Sequence, residues 1–224
     1  MTVAYSAPLT PGLSDLLQSV PETPPVLADE VRDERGGVGF GGVLAKPVDA
    51  DPNPAVLVVH VWSGLNDHTR VRAQMLARLG YVAIAADVYG GGQHFGPAEA
   101  GPESARYYAD PDLLRTRMAA NLDRLRAEPG LDQERIAVIG YCFGGSAALE
   151  AVRAGEPLAG AVSFHGRLRH ARVLRRGPRL IPSRGGGTGR LSRARPAPAA
   201  APPCRAARSS AARAAAACRP RPSG

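Results

Sequence analysis

Ile136-Ala137-Val138-Ile139-Gly140-Tyr141-Cys142-Phe143-Gly144-Gly145-Ser146-Ala147-Ala148-Leu149 joins an apolar run, a glycine-flanked cysteine and a small-residue helical pattern in fourteen positions. Glycine two residues before and two after Cys142 gives G-x-C-x-G, the spacing of a nucleophile elbow with cysteine where serine is commoner. The glycines have a steric role, because side chains there collide with neighbouring backbone when the apex residue is forced into a strained conformation. A thiol at that apex stands at a helix N-terminus, where the dipole and free N–H groups favour the thiolate. The pentapeptide alone also fits a buried cysteine ahead of a glycine-rich helix cap, so the surrounding chain has to decide.

Working outward, apolar runs and helical patterns alternate. Ala55–His60 and Tyr81–Ala86 read as buried strands, Asp67–Leu79 carries apolar residues at helical spacing between them, and a long helix is expected within Glu103–Glu128. The elbow strand covers Arg135–Gly140, its helix runs to about Arg153, and a further strand is expected at Leu158–Phe164. Gly36–Lys46 reads as an early strand with glycines at bends; it lacks the Gly-Lys-Ser/Thr ending of a phosphate loop. Such alternation predicts an α/β fold with a mostly parallel sheet covered by helices on both faces. Ligands in these folds collect at the carboxyl ends of the strands, where Val61, Trp62, Asp87, Tyr89, Cys142 and His165 all fall. Residues 1–35 read as a Pro-rich extension with one short helical pattern, Leu13 to Val20, and 36–168 as the α/β domain.

Beyond Leu168 the periodicity stops, and 169–224 reads as a low-complexity Arg/Ala/Pro-rich tail for which disorder is expected. Charge divides the same way. Residues 1–156 hold all 20 acids and 13 bases, a net of −7, whereas 157–224 hold 15 arginines and no acid, a net of +15. Three cysteines, Cys142, Cys204 and Cys218, are too few and too widely spaced for a disulfide framework or a zinc site, and the last two read as free thiols without function. No stretch is long and apolar enough to span a membrane and no secretory signal is visible, so a cytoplasmic location is expected.

Four segments, Leu57-Val58-Val59-His60-Val61-Trp62-Ser63-Gly64-Leu65-Asn66, Ala86-Asp87-Val88-Tyr89, Gly140-Tyr141-Cys142-Phe143-Gly144-Gly145 and Ser163-Phe164-His165-Gly166, together resemble the dienelactone hydrolase family, over about residues 30 to 168. The resemblance implies an α/β-hydrolase fold and hydrolysis of a small-molecule carboxylic ester or lactone by a Cys-His-Asp triad, with no metal or organic cofactor. Cys142 matches the nucleophile, which forms a thioester acyl-enzyme that water then cleaves. The backbone N–H groups of Phe143 and Trp62 match the oxyanion-hole donors. Val61, Asp87, Tyr89 and His165 fall at the substrate pocket.

Two departures stand out. The family commonly carries a glutamate where this chain has Val61, and the family's triad aspartate and histidine follow the elbow. Here no Asp or Glu occurs after Glu156, and the later histidines are His165, on the strand-end motif, and His170, in the tail. The resemblance therefore implies an impaired hydrolase whose domain lacks its last strands. Arg169-His170-Ala171-Arg172, read one base later, can encode Asp-Thr-Pro, so a reading-frame shift near residue 168 in a GC-rich gene accounts for the tail; the nucleotide sequence tests this. A second reading is a non-catalytic polyanion binder using the tail arginines. Against it, the tail has no aromatic residue for base stacking, and nucleic acid is disfavoured as a partner. His60 reads as a satisfied strand-end histidine rather than a base, and His94 takes no role.

Overall fold

The structure, a computed structural model, describes residues 8–22, 24–35, 37–48, 52–168 and 180–182. The elements are α1 (Pro11–Gln18), β1 (Val26–Arg35), β2 (Val38–Pro47), β3 (Asn53–Val59), α2 (Asp67–Arg78), β4 (Val82–Ala86), α3 (Pro97–Ala109), α4 (Pro111–Arg126), β5 (Leu131–Tyr141), α5 (Phe143–Ala154), β6 (Gly160–Phe164) and β7 (Leu180–Pro182). The strands form a seven-stranded sheet in the order β1-β2-β4-β3-β5-β6-β7. β1 with β2 and β2 with β4 run antiparallel, and every later pair is parallel.

Alternation of side chains along the central strands feeds two cores. Val56, Val58, Ala83 and Ala85 face α2, where Ala73 and Ala77 are fully buried. Leu57, Val59, Ile84 and Ala86 face the other way, against Tyr107 of α3, Met118 and Leu122 of α4, and Ala147 and Ala151 of α5. Helices thus cover both faces, as the strand–helix alternation predicts. Small residues on α2 and α5 let these helices lie close to the sheet.

Three differences from the sequence reading have physical causes. The sheet begins at Val26, inside the stretch read as an extension, because β1 pairs along its whole length with β2. Its Asp29, Glu30, Arg32 and Glu34 side chains are exposed and only Ala28 is buried, so it lacks the apolar alternation that marks a strand. The single helix expected within Glu103–Glu128 is two, broken at Asp110-Pro111. The Asp110 side chain accepts from the Asp112 and Leu113 N–H groups and Pro111 opens α4, a cap and a helix-compatible proline at one joint. Finally, β7 adds a short parallel strand beside β6, at Ala161–Ser163, within the stretch read as strandless. The disorder expected over 169–224, with His170, Cys204 and Cys218, otherwise lies outside the described residues.

Candidate active site

The elbow is built as its glycines require. A Cβ on Gly140 would run into the Gly144 carbonyl, and one on Gly144 would come within 2.5 Å of the Val59 oxygen and 2.6 Å of the His60 oxygen. With those side chains missing, β5 turns into α5 through Cys142 at φ 54°, ψ −113°. The only other non-glycine residue with positive φ among the described residues is His165, at 44°. The two lie at neighbouring strand ends, tied by the Cys142 N–H donating to the Phe164 carbonyl at 2.9 Å. Such backbone strain concentrates at functional sites.

Cys142 is half-buried and caps α5, while its carbonyl accepts from the Gly145 and Ser146 N–H groups at 3.1 and 3.3 Å. The Phe143 N–H begins the helix, where amides have no acceptor within the helix itself. Its ring is fully buried in an aromatic cage: centroids lie 5.6 Å away at His60, 5.1 Å at Tyr89, 6.0 Å at Tyr107 and 5.5 Å at Tyr108. This cage fixes the position of the residue next to the thiol.

The loop after β3 is held from the loop after β4. Leu65 N–H donates to the Gln93 carbonyl at 2.9 Å and Phe95 N–H to the Ser63 carbonyl at 2.8 Å. Tyr89 hydroxyl donates to the Trp62 carbonyl at 2.9 Å, so the tyrosine positions the Trp62 peptide rather than offering its oxygen to the pocket. Burial, foremost, pushes the Tyr89 phenol far above its usual range. The Trp62 ring is 38% exposed and lies against Gly101 of α3, available as an apolar wall.

Asp87 differs from its expected place at the pocket. Its side chain is fully buried and its two oxygens accept from the Gly41, Gly90 and Gly92 N–H groups at 2.9, 2.8 and 2.6 Å, leaving it turned inward as the pin of the glycine loop. Val61 brings no carboxylate to the loop; its carbonyl accepts from His60 Nδ1 at 2.7 Å. His60 Nε2 in turn accepts from the Val88 N–H at 3.1 Å, which fixes the neutral tautomer and uses both nitrogens. Burial, the largest cause, lowers the His60 pKa to about 4, so this histidine is the satisfied one its sequence position suggests and is no base for the thiol. His165 is exposed at the edge of the elbow.

The sequence reading missed three residues on the opposite wall. Tyr108 of α3 sets its ring edge-on to Phe143, and the Arg167 guanidinium stacks 4.8 Å over that ring. Ser146 accepts from the Arg167 N–H at 2.8 Å. Tyr108, Ser146 and Arg167 line a narrow crevice of about 20 Å³. Adjacent tyrosines on one helix were the available signal: Tyr107 turns into the core and Tyr108 towards the elbow, which periodicity alone does not separate. A larger cavity, about 590 Å³, opens between β1, β2 and Gly91–Gly92 beside Arg70, and no elbow residue lines it.

The model of the dienelactone hydrolase family matches residues 40–178. A Synechocystis protein provisionally named a carboxymethylenebutenolidase is 31% identical over 112 residues, covering 47% of this chain and 46% of that protein. The solved structure of a dienelactone hydrolase-like promiscuous phosphotriesterase from metagenomic libraries is similar at 39% identity and a TM-score of 0.61, over 63% of this chain and 59% of that one. A structure designated m3DLH is similar at 36% identity and a TM-score of 0.66, over 70% and 68%. The chain thus spans about half the length of the Synechocystis relative. The strand order and these likenesses make the architecture an α/β-hydrolase fold.

Proposed function

The chain belongs to the dienelactone hydrolase family, and from that premise we propose that it cleaves carboxylic esters or lactones through the thiol of Cys142. The observation that carries the reading is the Cys142 backbone, at φ 54° on the N-cap of α5 with glycines where side chains would collide. Strain of about 1–3 kcal/mol is retained at a residue when its side chain has to be presented in one direction. The attacking form of a thiol is its thiolate.

The sulfur adds to the ester carbonyl, and the tetrahedral oxyanion is received by the Phe143 and Trp62 N–H groups, the second held in place by Tyr89 through the Trp62 carbonyl. Collapse expels the alcohol portion and leaves a thioester on Cys142. Water cleaves it to the acid and restores the thiol. Val61, His165 and the exposed face of Trp62 border the acyl pocket, and Asp87 supports it from beneath. The relative's name suggests an unsaturated lactone as the substrate class.

Turnover is slow in this reading. No carboxylate follows Glu156 in the sequence, and Val61 and the neutral His60 supply no base beside the thiol. Loss of triad partners costs orders of magnitude in rate while the oxyanion hole still contributes. The test is stopped-flow reaction with p-nitrophenyl acetate: a burst of about one nitrophenolate per chain is expected, then a steady rate at least about 10²-fold slower. A Cys142→Ala variant should show no burst. An undiminished burst in that variant removes the cysteine from the mechanism.

A further inference from the structure

The cavity between β1, β2 and the Gly91–Gly92 loop shares no residue with the elbow, and at about 590 Å³ it has the size of a small-molecule site. Its β1 wall alternates in charge. Glu30, Arg32 and Glu34 share one face of the strand, the face on which Val43, opposite Glu30, packs with Ala73 of α2. In a sheet such charges are ordinarily met by side chains directly across on the neighbouring strand. Here Arg32 stands opposite Gly41 and Glu34 opposite Gly39, so β2 offers neither of them a cross-strand partner and leaves a trough beside them.

The two glycines are not equivalent. A Cβ on Gly41 would lie 2.7 Å from the Gly92 Cα, so the loop packed above it requires its missing side chain. A Cβ on Gly39 would meet nothing within 4 Å, and its φ is outside the left-handed region. A glycine within a strand weakens it, and one that neither packing nor conformation explains marks a place where something else approaches the backbone. The Gly39 carbonyl accepts from the Gly91 N–H at 2.7 Å, which fixes this floor against the glycine loop. Leu65 and Arg70 also line the cavity. Arg70 is held at Nη1 by Asp67 at 3.2 Å, while its Nε is buried with no acceptor among the described residues. A guanidinium with a donor unmet is the group that takes a carboxylate.

Charge and spacing together select the ligand. An anion alone would face Glu30 and Glu34, and a cation alone Arg32 and Arg70, whereas a molecule with one charge of each sign suits both sets. Side chains two residues apart on a strand are about 6.8 Å apart, so Arg32 and Glu34 call for a carboxylate and an ammonium separated by about that length. A free amino acid spans about 3.5 Å and an extended dipeptide about 7 Å. We propose that this cleft binds a short peptide with free termini, a dipeptide in the simplest case, extended over Gly39 with its ammonium on Glu34 and its carboxylate between Arg32 and Arg70. Leu65 offers an apolar contact to one of its side chains. The site does not depend on Cys142 being the nucleophile.

The experiment follows backbone amide chemical shifts of the full chain at neutral pH during titration with glycyl-leucine, and with N-acetyl-glycyl-leucine, glycyl-leucinamide and leucine in parallel. The Gly39, Leu65 and Gly92 amides should move saturably with a Kd of about 1 mM, the affinity expected of a ligand of about a dozen non-hydrogen atoms. Capping either terminus, or shortening the ligand to leucine, should weaken binding by at least about 10-fold, the scale of one hydrogen bond to a charged group. Gly39→Val fills the floor with a residue that strands favour, so it should keep the thermal midpoint while weakening binding by at least about 10-fold. Glu34→Gln, at an exposed position that does not endanger the fold, should lose as much. Shifts that do not saturate by about 20 mM, or that avoid these amides, overturn the proposal. Equal binding of the capped peptides, or undiminished binding to either variant, overturns it as well.

Discussion

His60 shows how much one side chain can decide at this site. It is fully buried between Phe143 and Tyr89, and both ring nitrogens are satisfied by the loops that carry Val61 and Val88. Its pKa is lowered from 6.5 to about 4, chiefly by burial. The folded value is below the unfolded one, so between them the unfolded chain binds the extra proton. The stability linked to His60 is therefore fully present above about pH 6.5 and declines as pH falls towards about 4, by a total on the order of 3 kcal/mol. Urea midpoints measured at about pH 7 and about pH 4.5 should differ by more in the native chain than in His60→Gln. Equal slopes for the two proteins would mean that another group governs acid stability. Cys142 and His60 were both legible in the sequence, the first from its glycines and the second from its strand-end position. Tyr108 was not, because its ring contacts, Phe143 and Arg167, are brought to it by different elements.

At the scale of elements, the loop after β4 carries more of the architecture than its glycine-rich sequence suggests. Asp87 accepts three backbone N–H groups, one of them from Gly41 in β2, 46 residues away. Tyr89, two residues on, locks the Trp62 peptide. Asp87→Ala would strand three amides at a buried or half-buried position, at about 1–3 kcal/mol each, so a loss of at least about 3 kcal/mol is expected. Thermal denaturation measures this, and hydrogen exchange should show Gly41 and Gly92 opening together. A loss below about 1 kcal/mol would mean that water replaces the carboxylate freely. The sequence placed Asp87 correctly at the end of a strand. It could not show which way the carboxylate turns, since the partner amides come from a distant strand. The break at Asp110-Pro111 was hidden for a simpler reason: the apolar spacing continues across it, and only the cap and proline divide the helix.

Across the whole molecule, the strand–helix alternation from β3 to β6 made the α/β class readable, because central strands buried on both faces must be continuously apolar. The edges were harder. β1 carries charges on exposed positions, a pattern that protects an edge strand from pairing with other chains and also disguises it as a loop. At the other end, among the described residues, β6 pairs with the three residues of β7. The charge division, −7 over residues 1–156 and +15 beyond, follows the loss of periodicity. The proposed function stands or falls with Cys142 reacting covalently. The direct measurement is intact and peptide mass spectrometry of the chain quenched within the burst with p-nitrophenyl acetate. One acetyl group per chain on the Cys142 peptide, labile to hydroxylamine as a thioester is, is the predicted result; nitrophenolate release with Cys142 unmodified and the label elsewhere would contradict it.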